Sequence, residues 1–255
     1  MNQYTALAKF YDRLNSEVDY KGWAEFIHDT IGKYKHVEEN LVLDLACGSG
    51  NMTLELAKLG YGMIGIDLSV DMLMEARQKS IGYDILYLNQ DMRDFELYGT
   101  VDVVVCCLDS VNYLLTDSDV RKCFSLVYNY LNPAGLFIFD VNTPHKFENI
   151  YADNAYVFEI ENEDIFCVWQ NSYDKETRLC DFYLNIFAAD SNGNKKYRRY
   201  REEQTERMYT KEELTGLLSE TGYDVVDIVW DRNYDTLSIP KLNERWYFIC
   251  KSKKL

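Results

Sequence analysis

Between residues 41 and 141 the chain alternates five short apolar runs with amphipathic segments, and that alternation leaves few folds open. The runs span 41–45, 63–68, 85–88, 101–108 and 136–141. Several are apolar at nearly every position, as strands of a parallel sheet are when helices cover both faces. The intervening segments begin with small polar residues and end near glycine, as at 51–60 and 69–79. A third begins at Asp117 and places Val120, Cys123, Phe124, Val127 and Leu131 on one face, before Asn132-Pro133-Ala134-Gly135 breaks it. Strand–helix alternation of this kind predicts a doubly wound α/β fold with right-handed crossovers.

The flanks read differently. Residues 1–36 are expected to be helical, with Phe10, Leu14, Trp23, Phe26, Ile27 and Ile31 in a stripe broken near 15–19. After Pro144 the chain becomes aromatic-rich and alternating, as in Phe182, Leu184 and Ile186, and Ser191-Asn192-Gly193-Asn194 reads as a hairpin turn. The expectation is an antiparallel β lid over 149–205, inserted into a main domain formed by 1–148 and 206–255. A helix over 210–220 and strands over 223–230 and 245–251 complete the main sheet as an antiparallel pair. Lys195, Lys196, Arg198, Arg199 and Arg201 form a basic run in the lid, expected to pair across strands with Glu159, Glu161, Glu163 and Asp164.

The net charge of −15 opposes nucleic acid and anionic membranes as partners and suits a neutral or cationic small substrate. Seven cysteines (Cys47, Cys106, Cys107, Cys123, Cys167, Cys180 and Cys250) show neither zinc spacing nor a redox CxxC. No metal is expected, and Cys106 and Cys107 read as buried strand residues. With no signal-peptide pattern at the start and no run of membrane-span length, the expected location is the reducing cytoplasm.

Leu43-Asp44-Leu45-Ala46-Cys47-Gly48-Ser49-Gly50-Asn51 follows a buried strand and opens a helix. Gly48 and Gly50 let a backbone turn pass close under a ligand at the strand ends. Asp67 ends the next strand, where a carboxylate can accept from both ribose hydroxyls of an adenosine. Asp91 follows the third strand and is placed to accept from an adenine amino group, with Met72 and Met92 flanking the ring. Nicotinamide dinucleotide sites share this geometry, but their third glycine is Thr53 here, and Asp44 would oppose a diphosphate while suiting an ammonium or sulfonium.

These residues, with Ile66-Asp67-Leu68-Ser69, Asp71-Met72-Leu73, Gln90-Asp91-Met92, 107–113 and 135–142, resemble the class I S-adenosylmethionine-dependent methyltransferases. Tyr11-Asp12-x-Leu14 and Asp19-Tyr20-x-x-Trp23 resemble a bacterial small-molecule subgroup with a β-rich lid. The resemblance implies a seven-stranded sheet in the order 3-2-1-4-5-7-6 and S-adenosyl-L-methionine as cofactor. It implies a methionine end held at the turn by Asp44, Ala46, Cys47, Gly48, Gly50 and Asn51, the ribose on Asp67 beside Leu68, and the adenine near Met72, Asp91 and Met92. The expected activity is methyl transfer to a small-molecule acceptor. Candidate catalytic residues are Tyr11, covering the cofactor, and Asp109, Tyr113 and His145, with Asn112 and Asn142 beside them. The alternatives are a binding protein that holds the cofactor without turnover and an NAD-dependent oxidoreductase. A nucleic-acid amino-methylating enzyme is disfavoured, because 108–113 lacks the Asn/Asp-Pro-Pro-aromatic motif usual there.

Overall fold

A computed structural model describes residues 7–34, 41–160, 164–189, 196–230 and 244–254. Two helices, α1 (Ala8–Leu14) and α2 (Tyr20–Tyr34), open the described chain, separated where the helical stripe is interrupted. Strands β1 (Leu41–Leu45), β2 (Gly62–Asp67), β3 (Ile85–Asn89), β4 (Val101–Cys106) and β5 (Leu131–Asn142) then alternate with α3 (Asn51–Lys58), α4 (Val70–Lys79) and α5 (Asp117–Tyr130). β6 (Ala155–Ile160), β7 (Ile165–Asp174), β8 (Leu179–Ala189) and β9 (Tyr197–Arg207) follow, then α6 (Lys211–Glu220), β10 (Tyr223–Val229) and β11 (Arg245–Ser252).

The main sheet runs β3-β2-β1-β4-β5-β11-β10, the expected order once β6 to β9 are set aside. β1 to β5 pair in parallel, and β11 pairs antiparallel with both β5 and β10. Alternation along β4 shows why both sheet faces are covered. Val103 and Val105 pack with Trp23, Phe26, Ile27 and Leu56 on the α2/α3 side. Val104 and Cys106 pack with Phe124, Val127 and Leu217 on the α5/α6 side. Each fully buried side chain of this size contributes roughly 1.5–3 kcal/mol.

Polar caps fix the helix starts. Ser69 Oγ accepts from Met72 N at the head of α4, Thr116 Oγ1 accepts from Asp119 N at α5, and Thr210 with Glu213 forms a capping box at α6. Two of the boundaries that differ from the sequence reading have a clear local cause. Leu131 begins β5 rather than closing α5, because it pairs with Val101 of β4. β4 stops at Cys106, because Leu108 and Asp109 take left-handed backbone angles (φ 58° and 55°) that no strand accommodates.

The second sheet, β6-β7-β8-β9, is antiparallel throughout. Phe182, Leu184 and Ile186 all turn to one face, where they bury against Leu7 and Phe10 from the start of the described chain and Phe147 and Tyr151 of a π-helical turn (Lys146–Tyr151). Among the described residues the expected charge pairing across this sheet does not form. β9 and β6 lie at opposite edges, and Arg198, Arg199 and Arg201 face Ala188, Phe187 and Asn185. Arg199 instead bonds the Asn185 side chain and lies over the Phe187 ring. The hairpin turn expected at 191–194, with Glu161, Glu163 and Lys195, lies outside the described residues. All seven cysteines are buried as free thiols. No helix among the described residues is long and apolar enough to cross a membrane.

Candidate active site

The C-terminal ends of β1, β2, β3 and β4 border a cavity of about 540 Å³, within the roughly 300–1,000 Å³ usual for small-molecule sites. The β1–α3 turn forms one wall. Ala46 and Gly48 adopt left-handed angles (φ 60° and 54°), so the chain turns sharply. A Cβ placed on Gly48 would meet nothing within 4 Å.

Asp67, at the end of β2, ties this turn to the next. Gly48 N donates to Asp67 Oδ2 and Ser69 N donates to Oδ1, each at 2.8 Å. Each carboxylate oxygen keeps further accepting capacity for a pair of hydroxyls. Burial raises the Asp67 pKa, and the backbone N–H bonds oppose that rise. Asp44 lies deeper. It accepts from Thr53 Oγ1 at 2.5 Å, and burial, reinforced by the nearby Asp67 charge, pushes its pKa up to about 7. Thr53, read from sequence only as a missing third glycine, is the partner that holds this acid in place. Asp91 pairs with Arg93 through bonds of 2.6 to 3.2 Å, and these hold its carboxyl below the ordinary range.

Of the eleven residues expected at the cofactor, ten line this cavity: Asp44, Ala46, Cys47, Gly48, Asn51, Asp67, Leu68, Met72, Asp91 and Met92. Gly50 does not. A Cβ there would come within 2.7 Å of Ala76 Cβ and 2.8 Å of Tyr87 Oη, so Gly50 is needed where α3 packs against α4 and β3. The sequence signal for the two glycines is the same; the structure gives one to the cavity and the other to packing.

α1 lies at the side of the cavity and is fastened there by Asp12. Ser49 Oγ and Asn51 Nδ2 donate to Asp12 Oδ1 at 2.6 and 2.9 Å, and Lys79 Nζ donates to Oδ2 at 2.6 Å. Burial opposes ionisation of Asp12, but Lys79, Ser49 and Asn51 outweigh it and lower its pKa. This fastening places Tyr11 on the cavity wall.

A second cavity, of about 220 Å³, lies between α1, the end of β4 and the second sheet. Tyr11, Leu108 and Tyr113 line both cavities, so the two share a boundary. The walls of the second are largely aromatic, with Tyr151, Phe158, Trp169 and Phe182. Its polar side is a cluster of charges. Arg245 pairs with Asp109 at 2.8 Å and with the buried Asp140. Asp140 also accepts from Leu108 N and Asp109 N at 2.8 and 2.9 Å, which holds the left-handed pair of residues in place. Asn142 Nδ2 donates to Glu206 Oε2 at 3.0 Å, and Lys146 Nζ donates to Asn142 Oδ1 at 3.1 Å. Burial opposes ionisation of Asp109, but Arg245 and Lys146 outweigh it and lower its pKa. Glu206 goes the other way, held well above the ordinary value by burial and by Asp109. Burial and Arg245 lower the Lys146 pKa.

Asp109 lines only the second cavity, and His145 lines neither; the His145 ring is 3.1 Å from Asn149 Nδ2 on the following turn. Asn112 is a support rather than a wall. It donates to Arg207 O at 2.8 Å and accepts from Asn142 N at 3.0 Å. The sequence reading missed Asp12, Lys146, Gln204, Glu206 and Arg245. Of these, the polar alternation Glu202-x-Gln204-x-Glu206 carried a readable signal: three side chains on one strand face.

A family model described as a methyltransferase domain matches residues 42–135. A putative methyltransferase of Bacillus subtilis is 32% identical over 253 residues, 98% of each chain. The crystal structure of an S-adenosylmethionine-dependent methyltransferase from Clostridium acetobutylicum superposes with a TM-score of 0.84 at 31% identity, over 98% of each chain. A dTDP-3-amino-3,4,6-trideoxy-alpha-D-glucopyranose N,N-dimethyltransferase of Streptomyces venezuelae is 30% identical over 146 residues, 57% of this chain and 59% of that one.

Proposed function

The chain belongs to the class I S-adenosylmethionine-dependent methyltransferases, and from that premise we propose that it methylates an amine nitrogen of a small polar molecule seated in the second cavity. The observation that carries this reading is the boundary of Tyr11, Leu108 and Tyr113 common to both cavities. It lets an acceptor atom approach a methyl donor without either ligand leaving its own pocket. A binding protein without turnover would have no use for that junction, and the family assignment sets the oxidoreductase alternative aside.

The cofactor supplies an already electrophilic methyl group; the protein supplies alignment and a place for a proton. In this reading Asp44 faces the cationic amino-acid end, Asp67 takes the ribose hydroxyls, and Asp91 and Met92 border the adenine. An amine arriving as ammonium must lose a proton before its lone pair can attack. Asp109 and Glu206 interact directly and both line the second cavity, so they can hold the cation and accept its proton. Tyr11 and Tyr113 orient the acceptor at the junction, and His145 has no part. Residues 149–205 form a lid on a main domain of 1–148 and 206–255, and the buried free thiols suit a cytoplasmic setting. Nitrogen as acceptor atom is supported by these carboxyl groups and by the N,N-dimethyltransferase among the relatives.

The test is release of S-adenosylhomocysteine measured across a panel of amine, hydroxyl and thiol acceptors. Amine-dependent turnover is expected. Turnover confined to hydroxyl or thiol acceptors, or absent from the whole panel, would sink the proposal.

A further inference from the structure

β9 buries three polar side chains in alternation, Glu202, Gln204 and Glu206, at 5%, 7% and 3% exposure. They stand opposite Leu184, Phe182 and Cys180 of β8, so a polar row adjoins an apolar one on the same sheet face. Gln204 uses only half of its amide: Oε1 accepts from Tyr113 Oη at 2.8 Å, while Nε2 is buried with no partner. On β7, Trp169 is in register with Leu184 and packs edge-on against Phe182, ring centroids 5.7 Å apart. Its indole Nε1 is likewise buried and unpartnered. Both residues line the second cavity.

A buried donor left unbonded is costly, and native structures hold few of them. Two in one cavity mark a place where a ligand atom completes the bonding. Both groups are donors, so that atom is an acceptor. The cations lining the cavity already face acids: Arg245 pairs with Asp109 and Asp140, and Lys146, bonded to the neutral Asn142 side chain, lies in the field of Asp109 and Glu206. No unpaired positive charge is left to balance an anion here, so the fitting atom is a neutral oxygen.

We propose that Gln204 and Trp169 form a two-donor subsite that binds a hydroxyl or carbonyl oxygen of the methyl acceptor and selects such molecules over apolar amines of the same size. This rests on the reading that the second cavity holds the acceptor. The subsite is linked to the reaction geometry through Tyr113, which bonds Gln204 and also lines the cofactor cavity. A site built around hydrogen bonds rejects a ligand lacking the matching group, because its own donors are then left unpaired.

The experiment uses the full chain saturated with S-adenosylhomocysteine and four probes: cyclohexylamine and the 2-, 3- and 4-aminocyclohexanols, which differ from it by one hydroxyl. At least one aminocyclohexanol is expected to bind about tenfold more tightly than cyclohexylamine. It is also expected to move the indole N–H resonance of Trp169, identified among the four tryptophans by its loss in Trp169→Phe. In Trp169→Phe and in Gln204→Met the hydroxyl preference falls several-fold; it is read as a ratio of affinities, so a general weakening cancels, and either variant suffices if the other fails to fold. Equal binding with and without the hydroxyl, an unmoved Trp169 resonance, or a preference that survives in the variants overturns the subsite. Failure of S-adenosylhomocysteine itself to bind, measured separately by calorimetry, instead overturns the methyltransferase reading and the subsite with it.

Discussion

The two cavities are built by different means. The first is assembled where four parallel strands end, and much of its polar lining is backbone geometry fixed by short stretches of chain: the left-handed Ala46 and Gly48, and the Gly48 and Ser69 N–H groups converging on Asp67. The second takes Asp109, Lys146, Glu206 and Arg245 from four separate elements and holds them by buried ion pairs and by hydrogen bonds through Asn142. A site fixed by turns tolerates change around it. A site fixed by mutual pairing of buried charges fails when any one member is removed.

The strongest way to break this contrast is Arg245→Met. It leaves Asp140 and Asp109 without their cation, and loss of one partner from a buried pair costs about 3–5 kcal/mol. Chemical denaturation should show that loss, together with a collapse of acceptor binding. Gly50→Ala comes next at about 3 kcal/mol, combining the left-handed backbone with the close approach of Ala76 and Tyr87. Gly48→Ala should cost only about 1 kcal/mol in stability, because the space beside it is open. Equal losses in the two glycine variants would erase the distinction between them. Asp67→Ala should weaken S-adenosylhomocysteine about 30- to 100-fold by calorimetry, in keeping with two lost charge-assisted bonds, while leaving the acceptor cluster folded. An unchanged affinity would remove the ribose assignment.

The smallest expected effect is a pH dependence. The Asp44 pKa is about 7 in the folded chain, through burial and then Asp67; unfolded, a carboxyl of this kind titrates near 3.9. The folded state therefore holds an extra proton between these values. This contribution to stability is fully present below about pH 4 and is lost as pH rises through about 7. The ammonium group of S-adenosylhomocysteine favours the ionised form, so this ligand should bind about tenfold more tightly at roughly pH 8 than at roughly pH 6 and release a proton on binding. Calorimetry in two buffers of different ionisation enthalpy measures that proton; Asp44→Asn should abolish it.

The same contrast explains what the sequence disclosed. Periodicity and caps are local, so the strands, the helices and the walls of the first cavity could be read from short windows around Asp44, Asp67 and Asp91. Gly50 was read as a ligand contact because close approach to a ligand and close approach to a neighbouring helix leave the same residue behind, and the packing against Ala76 and Tyr87 is the one the structure displays. Leu108 looked like strand, since nothing in its side chain shows that Asp140 on β5 captures its N–H group and that of Asp109. Glu206 and Arg245 gain meaning only when β9 and β11 come to the same place. The expected partners of Arg198, Arg199 and Arg201 are not met among the described residues for a related reason: alternation locates a strand, but its edge in the sheet depends on pairings made elsewhere.

The burial of all seven sulfur atoms has a practical consequence. Alkylating reagents attack thiolates, and burial holds these groups in the thiol form, so the native chain should be nearly inert to them. Modification then reports opening. Cys47 and Cys107 border the first cavity and Cys167 borders the second, whereas Cys106, Cys123 and Cys250 sit in the core of the main sheet. A brief pulse of iodoacetamide followed by mass spectrometry of the peptides would separate breathing at either cavity from global unfolding, without a single engineered label.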